Sequence, residues 1–373
     1  MKKIDFIIIF VIIISYLSLL FNFRREIFNY RFSDNIVKRY FCSQNIPYQP
    51  PCKRIFLSDE EIYIATSYLY IKGADPAGAA YNFQHMPFLG YLFGLFILYF
   101  KNPYFLQIIF SGFYLLLAYF LAIKIFKNRV ISLLTVFLVL NDPLFLDISS
   151  HIFYDLGQAV FAMLYFYSLL FLKSPIISGI FLGLFATSKY YGAAIFFVLF
   201  LNFYLFVKKE FFWKNFFAHF LVAFIVFCLV YIKTFINHKF LFNIFFFQLK
   251  LLKYWINHSI TNLPFASIIL FLTGFFKKWW EDYRFTWINT WTLLWPISFF
   301  TELYLLRNFI KIKKFNLKKI DVKTLVFALP IIYLLYLGSQ APFVRYFIIF
   351  LPFSYMSLSY FLTQFLADNS KGF

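Results

Sequence analysis

Acidic side chains are scarce in this chain: 16 Asp and Glu stand against 35 Lys and Arg, and charged residues of both signs make up only 14% of it. A chain so poor in charge and 62% hydrophobic cannot cover itself as a water-soluble globule, because ordinary soluble domains hold roughly 45–50% apolar residues. Cysteine is nearly missing as well. Cys42 and Cys52 lie in one loop and Cys228 sits inside an apolar run, which excludes a zinc framework of closely spaced cysteine pairs. A Cys42–Cys52 disulfide stays open if their loop faces an oxidising compartment. Three motifs are also missing: the G-x-x-x-x-G-K-[ST] phosphate loop, H-E-x-x-H and G-x-S-x-G. ATP-driven transport, zinc proteolysis and serine-hydrolase chemistry therefore have no support.

What is present is apolar sequence in repeated runs. Phe6–Phe21 follows a short basic start and has no small-x-small cleavage site after it, so it reads as an uncleaved first span. Further runs occupy Pro103–Ile123, Val130–Leu146, Leu156–Leu172, Ile176–Thr187, Ala193–Val207, Phe216–Phe235, Phe285–Leu305, Leu325–Leu337 and Tyr346–Phe365. Pro87–Phe100 and Ala266–Phe276 are too short to cross comfortably. This pattern predicts an all-α polytopic membrane protein of about ten spans, in one domain over 1–373, with both termini inside. The 61 Phe residues read as lipid-facing surface, not as a ligand box.

The net charge of +19 comes from Lys and Arg in short connections such as Lys124–Arg129, Lys208–Lys214 and Arg307–Lys323. That is the signature of cytoplasmic loops, which orient the helices and attract anionic headgroups. A nucleic-acid partner is rejected on this ground. The long first loop, about 22–86, is then placed outside, because long loops translocate largely regardless of charge.

That loop holds a polar, acidic island: Ser58-Asp59-Glu60-Glu61-Ile62-Tyr63, then Gly73-Ala74-Asp75-Pro76, then His85-Met86-Pro87. Residues Glu60–Lys72 mix polar and apolar positions at helical spacing, which predicts a helix lying on the membrane surface. The inferred topology brings Asp59, Glu60, His85, Asp155, Lys189 and Arg345 to one membrane face from five separate segments. Ionisable groups near membrane depth are expensive, so such convergence marks a candidate functional site. Each residue also has a plainer reading. Ser58-Asp59-Glu60-Glu61 fits a capping box, Glu60 favours a helix N-terminus electrostatically, Asp155 follows a loop rich in acids, and Lys189 and Arg345 could snorkel at helix ends.

These residues resemble, in order along the chain, the motifs of the GT-C superfamily of polyprenyl-phosphate-dependent glycosyltransferases. The branch of protein O-mannosyltransferases and the lipid A aminoarabinose transferase is the most similar. The family's acidic motif in the first outer loop corresponds to Asp59-Glu60 with Tyr63, one position early. Gly73-Ala74-Asp75-Pro76 and His85-Met86-Pro87 follow, and Gln84 stands where the aminoarabinose branch carries Glu. Asp155, the turn Thr187-Ser188-Lys189 with Gly192, and Arg345-Tyr346 before Pro352 complete the set. The resemblance implies a sugar donor carried on a polyprenyl phosphate, and a glycan, lipid or protein acceptor. It implies a single inverting displacement at the outer face of a membrane, read as the plasma membrane of a prokaryote. Asp59 would be the general base with Glu60 beside it, and His85, Asp155, Lys189, Arg345 and Tyr346 would bind donor phosphate or substrate. No cofactor is called for, and a divalent metal is left open. The competing expectation is a multi-pass lipid or solute transporter or flippase; it lacks the paired, broken helices of such folds.

Overall fold

The computed structural model describes residues 3–43, 55–77, 85–238, 246–247, 249–250, 253, 265–277, 284–313, 320–338 and 342–369. Its helices run in chain order as α1 Lys3–Phe23, α2 Asn35–Ser43, α3 Asp59–Ile71, α4 Phe88–Phe100, α5 Tyr104–Phe126, α6 Arg129–Leu140, α7 Pro143–Ser150 and α8 Tyr154–Tyr167. They continue as α9 Pro175–Ser188, α10 Tyr191–Val207, α11 Trp213–Val230, α12 Ile232–His238, α13 Ala266–Thr273, α14 Leu294–Lys313, α15 Val322–Leu337 and α16 Leu351–Asn369. Among the described residues four helical stretches are long and apolar enough to cross a membrane: α1, α5, α8 with its π-helical extension to Leu172, and α11. The bent pair α6 and α7, with 63° between them, makes a fifth if it forms one span, and α4, α9, α10 and α15 are shorter apolar helices. The chain is an integral membrane protein built of helices, with span assignments less regular than ten equal crossings.

One expectation is corrected. Phe285–Leu305 is not one span: Phe285–Trp287 is a strand paired antiparallel with Phe275–Lys277, and the helix begins only at Leu294. Aromatic residues favour the extended conformation here, and Trp287 packs edge-on against Phe275 and Trp291. The Glu60–Lys72 helix is present as α3, Asp59–Ile71, and it is docked on its neighbours. Tyr63, Ile64, Ala65, Thr66, Ser67 and Tyr70 are all buried, against α2 and above all α4. Gly94 permits this approach, since a Cβ there would come within 2.3 Å of the Ser67 carbonyl oxygen.

Contacts between turns define the two ends of the bundle. At one end Asp5 pairs with Arg129, Lys124 lies over Phe171, Lys173 pairs with Glu210, and Lys323 lies over Phe126 and Tyr360. The basic connections are thus gathered together, as charge-sorted topology requires. At the other end Asn102 donates to the Ile27 carbonyl and Tyr104 to Glu60. The Cys42–Cys52 expectation involves Cys52, outside the described residues.

Candidate active site

The site is assembled at the end away from the basic turns. Ser58 caps α3: its hydroxyl accepts from the Glu61 amide at 3.2 Å, and the Glu61 carboxylate accepts from the Ser58 amide at 3.1 Å. The capping box is therefore real, but its side chains are Ser58 and Glu61. Asp59, at the first helical position, does not cap, and its carboxylate is directed to other contacts.

The Arg345 guanidinium donates to Asp59 Oδ2 at 2.6 Å. Arg345 is delivered by the 3₁₀ turn Val344–Ile349 ahead of α16 and lies over the face of Phe153, 4.4 Å from the ring centroid. Such stacking holds the planar fork in place while leaving its other donors free. The Asp59 side chain is 52% exposed and that of Arg345 15%, so the pair borders open space on the carboxylate side.

Lys189 and Asp155 form the buried half of the site. The Lys189 ammonium donates to Asp155 Oδ1 at 2.6 Å, with the side chains 3% and 2% exposed. Asp155 Oδ2 is buried and has no hydrogen-bond partner. Lys189 lies in the break between α9 and α10, where its carbonyl accepts from the Met86 amide at 2.9 Å and its ammonium stands 5.1 Å from the Tyr346 ring centroid. Gly192 is required just beyond, because a Cβ would meet the Tyr190 ring at 2.3 Å.

His85 connects the two halves. Its Nε2 is 3.1 Å from the Tyr63 hydroxyl, and Tyr63 stacks on Tyr154, next to Asp155, at 4.3 Å between ring centroids. Burial and the nearby Lys189 and Arg345 charges push the His85 imidazole well below its usual pKa, against a smaller opposing pull from Asp155. The ring is therefore neutral near pH 7 and acts as a hydrogen-bonding group. Asp59, His85, Asp155, Lys189, Arg345 and Tyr346 are thus brought together from α3, the 85–87 segment, α8, the α9–α10 break and the turn before α16.

Glu60 is not in that constellation. It lies beside Asp59 in sequence, but its carboxylate accepts from Tyr104 hydroxyl at 2.7 Å, Ile152 amide at 3.0 Å and Arg24 at 3.2 and 3.4 Å. Arg24 also donates to the Ser150 carbonyl at 2.6 Å. The pair grips the 150–153 segment that presents Phe153 to Arg345. Arg24 and Tyr104 were not legible as site-supporting residues, since each occupies a helix end where a charged or aromatic anchor is ordinary. Among the described residues no three of His, Cys, Asp and Glu gather to hold a metal ion, and Gln84 lies outside the described residues.

No protein-family model and no curated protein sequence matches this chain. Its fold is shared with ArnT from Cupriavidus metallidurans. The structure of ArnT bound to undecaprenyl phosphate aligns with a TM-score of 0.55 at 13% identity, over 87% of this chain and 58% of that one. Its apo state aligns with the same TM-score at 14% identity, over 87% and 57%. The chain therefore spans a little under three-fifths of the length of ArnT, and the likeness shows a shared fold.

Proposed function

We propose that this protein is a membrane glycosyltransferase that moves a sugar from a polyprenyl-phosphate donor to an acceptor hydroxyl at the outer face of the membrane. The observation that carries this reading is the gathering of Asp59, His85, Asp155, Lys189, Arg345 and Tyr346 at one end of the bundle. The fold shared with ArnT supports it. In this reading the acceptor oxygen attacks the anomeric carbon as the bond from that carbon to the phosphate oxygen breaks. Asp59 takes the acceptor proton, and its half-exposed carboxylate with a free Oδ1 suits that role. Lys189 and Arg345 take up the negative charge growing on the departing polyprenyl phosphate, Lys as a point charge and Arg as a fork. Displacement in one step inverts the anomeric centre.

Asp155 holds Lys189 in place, and its unpartnered Oδ2 offers an acceptor to a sugar hydroxyl. His85 and Tyr346 line the approach. Glu60 is better read as a positioning residue than as a second base, since its oxygens are taken up by Tyr104, Ile152 and Arg24. The acceptor class stays open among protein, lipid and envelope glycan. The test is transfer by the purified full chain from a radiolabelled undecaprenyl-phosphate sugar to mixed envelope acceptors. Labelled product that disappears in Asp59→Asn is expected. Movement of labelled lipid between leaflets with no covalent product would replace the transferase by the flippase reading.

A further inference from the structure

The bundle carries a second cleft, which begins at Tyr191, just past the Lys189 break, and runs along α10 to the end opposite the candidate site. Helix α11 rests on α9, where Gly179 and Gly183 allow close approach: a Cβ at either would lie 2.6 Å from the α11 backbone or Val226. A gap of about 600 Å³ opens between α10 and α11, floored by Leu182, Gly183 and Ala186 of α9. The gap follows α10 from Tyr191 to Phe206, about 22 Å at ~1.5 Å per residue. Its walls are almost wholly apolar, and Ile195, on one wall, is 50% exposed.

At its far end the gap meets a polar cavity of about 170 Å³, and Asn202, Phe211 and Phe216 line both. Three features point to a charged headgroup there. Lys173 and Glu210 pair at 2.7 Å at its mouth, with both side chains well exposed. The N-terminus of α9 opens into it through Ser174, Pro175 and Ser178, and helix N-termini favour phosphate. His219, 2% exposed, lines the cavity with its Nε2 buried and unpartnered. The Tyr165 hydroxyl is likewise unpartnered, its ring 6.4 Å from that imidazole. A π-helical turn, Ser168–Leu172, leads into Lys173. Such turns commonly mark functional positions.

We propose that this cleft binds a zwitterionic aminophospholipid of the leaflet opposite the candidate site. Its phosphate sits among Lys173, His219 and the α9 N-terminus, its primary ammonium meets Glu210, and an acyl chain lies in the gap between α10 and α11. Adjacent charges of both signs at the mouth select a zwitterion over a purely anionic lipid. The site is independent of the transfer reaction and survives its failure.

The test is native mass spectrometry of the full chain in detergent, titrated separately with phosphatidylethanolamine, phosphatidylglycerol and undecaprenyl phosphate. Phosphatidylethanolamine should bind most tightly. Glu210→Gln, at an exposed position, should weaken it about tenfold, the value of one hydrogen bond to a charged group, and abolish its advantage over phosphatidylglycerol. Ile195→Trp should weaken it by filling the gap, with thermal unfolding as the control for folding. If Ile195→Trp does not fold, Glu210→Gln carries the test alone. Unchanged phosphatidylethanolamine binding in every folded variant would overturn the proposal. So would phosphatidylglycerol binding as tightly as phosphatidylethanolamine, or undecaprenyl phosphate competing for the same gap.

Discussion

Asp59 and Glu60 are consecutive residues whose carboxylates serve different structures. Asp59 Oδ2 accepts from Arg345, 286 positions away, at 2.6 Å, whereas Glu60 accepts from Tyr104, Ile152 and Arg24. The separation follows from the α3 cap. Ser58 and Glu61 close the helix end on each other, which leaves the first two helical side chains to diverge.

Asp59→Asn isolates basicity from shape. The cap is made by Ser58, so stability should not fall through lost capping, and the amide oxygen can still accept from Arg345. Turnover should drop by about 10²-fold or more, the usual contribution of a positioned base. A purified variant that transferred sugar at close to the wild-type rate would remove Asp59 from the chemistry.

Glu60→Gln should have the opposite balance. The amide keeps an acceptor for Tyr104 and Ile152 but removes the charge facing Arg24, in a setting where the side chains are 14% and 21% exposed. Hydrogen bonds to charged groups are worth about 1.5–3 kcal/mol, and partial exposure to solvent reduces that, so unfolding stability should fall by about 1–2 kcal/mol. Turnover should fall less than in Asp59→Asn. A variant with an unchanged unfolding midpoint and no turnover would make Glu60 a participant in the chemistry.

The site was more legible in the sequence than the support beneath it. In so apolar a chain a carboxylate or guanidinium is rare, so Asp59, Asp155, Lys189 and Arg345 stood out before any contact was known. Their supports did not. Phe153 and Tyr154 are aromatic residues among many, and nothing local distinguishes the ring under Arg345 from one facing lipid. Asp142, in the acid-rich loop before Asp155, carries no local sign of its role. It is fully buried, accepting from the Leu144 and Phe145 amides, the Trp295 indole and the Tyr355 hydroxyl. It caps α7 and ties the bend between α6 and α7 to α14 and α16. Trp295 and Tyr355 lie more than 150 residues away, beyond any local pattern. The Phe285–Trp287 strand was missed for a related reason, since a short apolar run does not declare its period.

Asp155 and Lys189 should be energetically coupled. Removing one member leaves the other as an uncompensated buried charge, which costs about 3–5 kcal/mol. Asp155→Asn and Lys189→Met should each destabilise the protein by about that amount, and the double variant by clearly less than their sum. Unfolding in detergent of the four proteins measures the cycle. Strict additivity would show that the pair is not coupled in solution.

His85 gives a pH signature with a definite sign. Its pKa in the folded protein is held well below the ordinary value, first by burial and then by Lys189 and Arg345, while the unfolded chain titrates near 6.5. As pH falls through that value the unfolded state takes up a proton that the folded state refuses. The contribution of His85 to stability is therefore fully present above about pH 7 and declines on acidification through about 6.5. His85→Gln keeps a polar partner for Tyr63 and removes the titration. Its unfolding midpoint should lie below wild type at pH 7.5 if the Tyr63 contact weakens, but it should fall less steeply between pH 7 and 5.5. The comparison of the two slopes is the measurement. Equal slopes would mean that His85 titrates normally in the folded protein and carries a positive charge at acidic pH, as a phosphate ligand would.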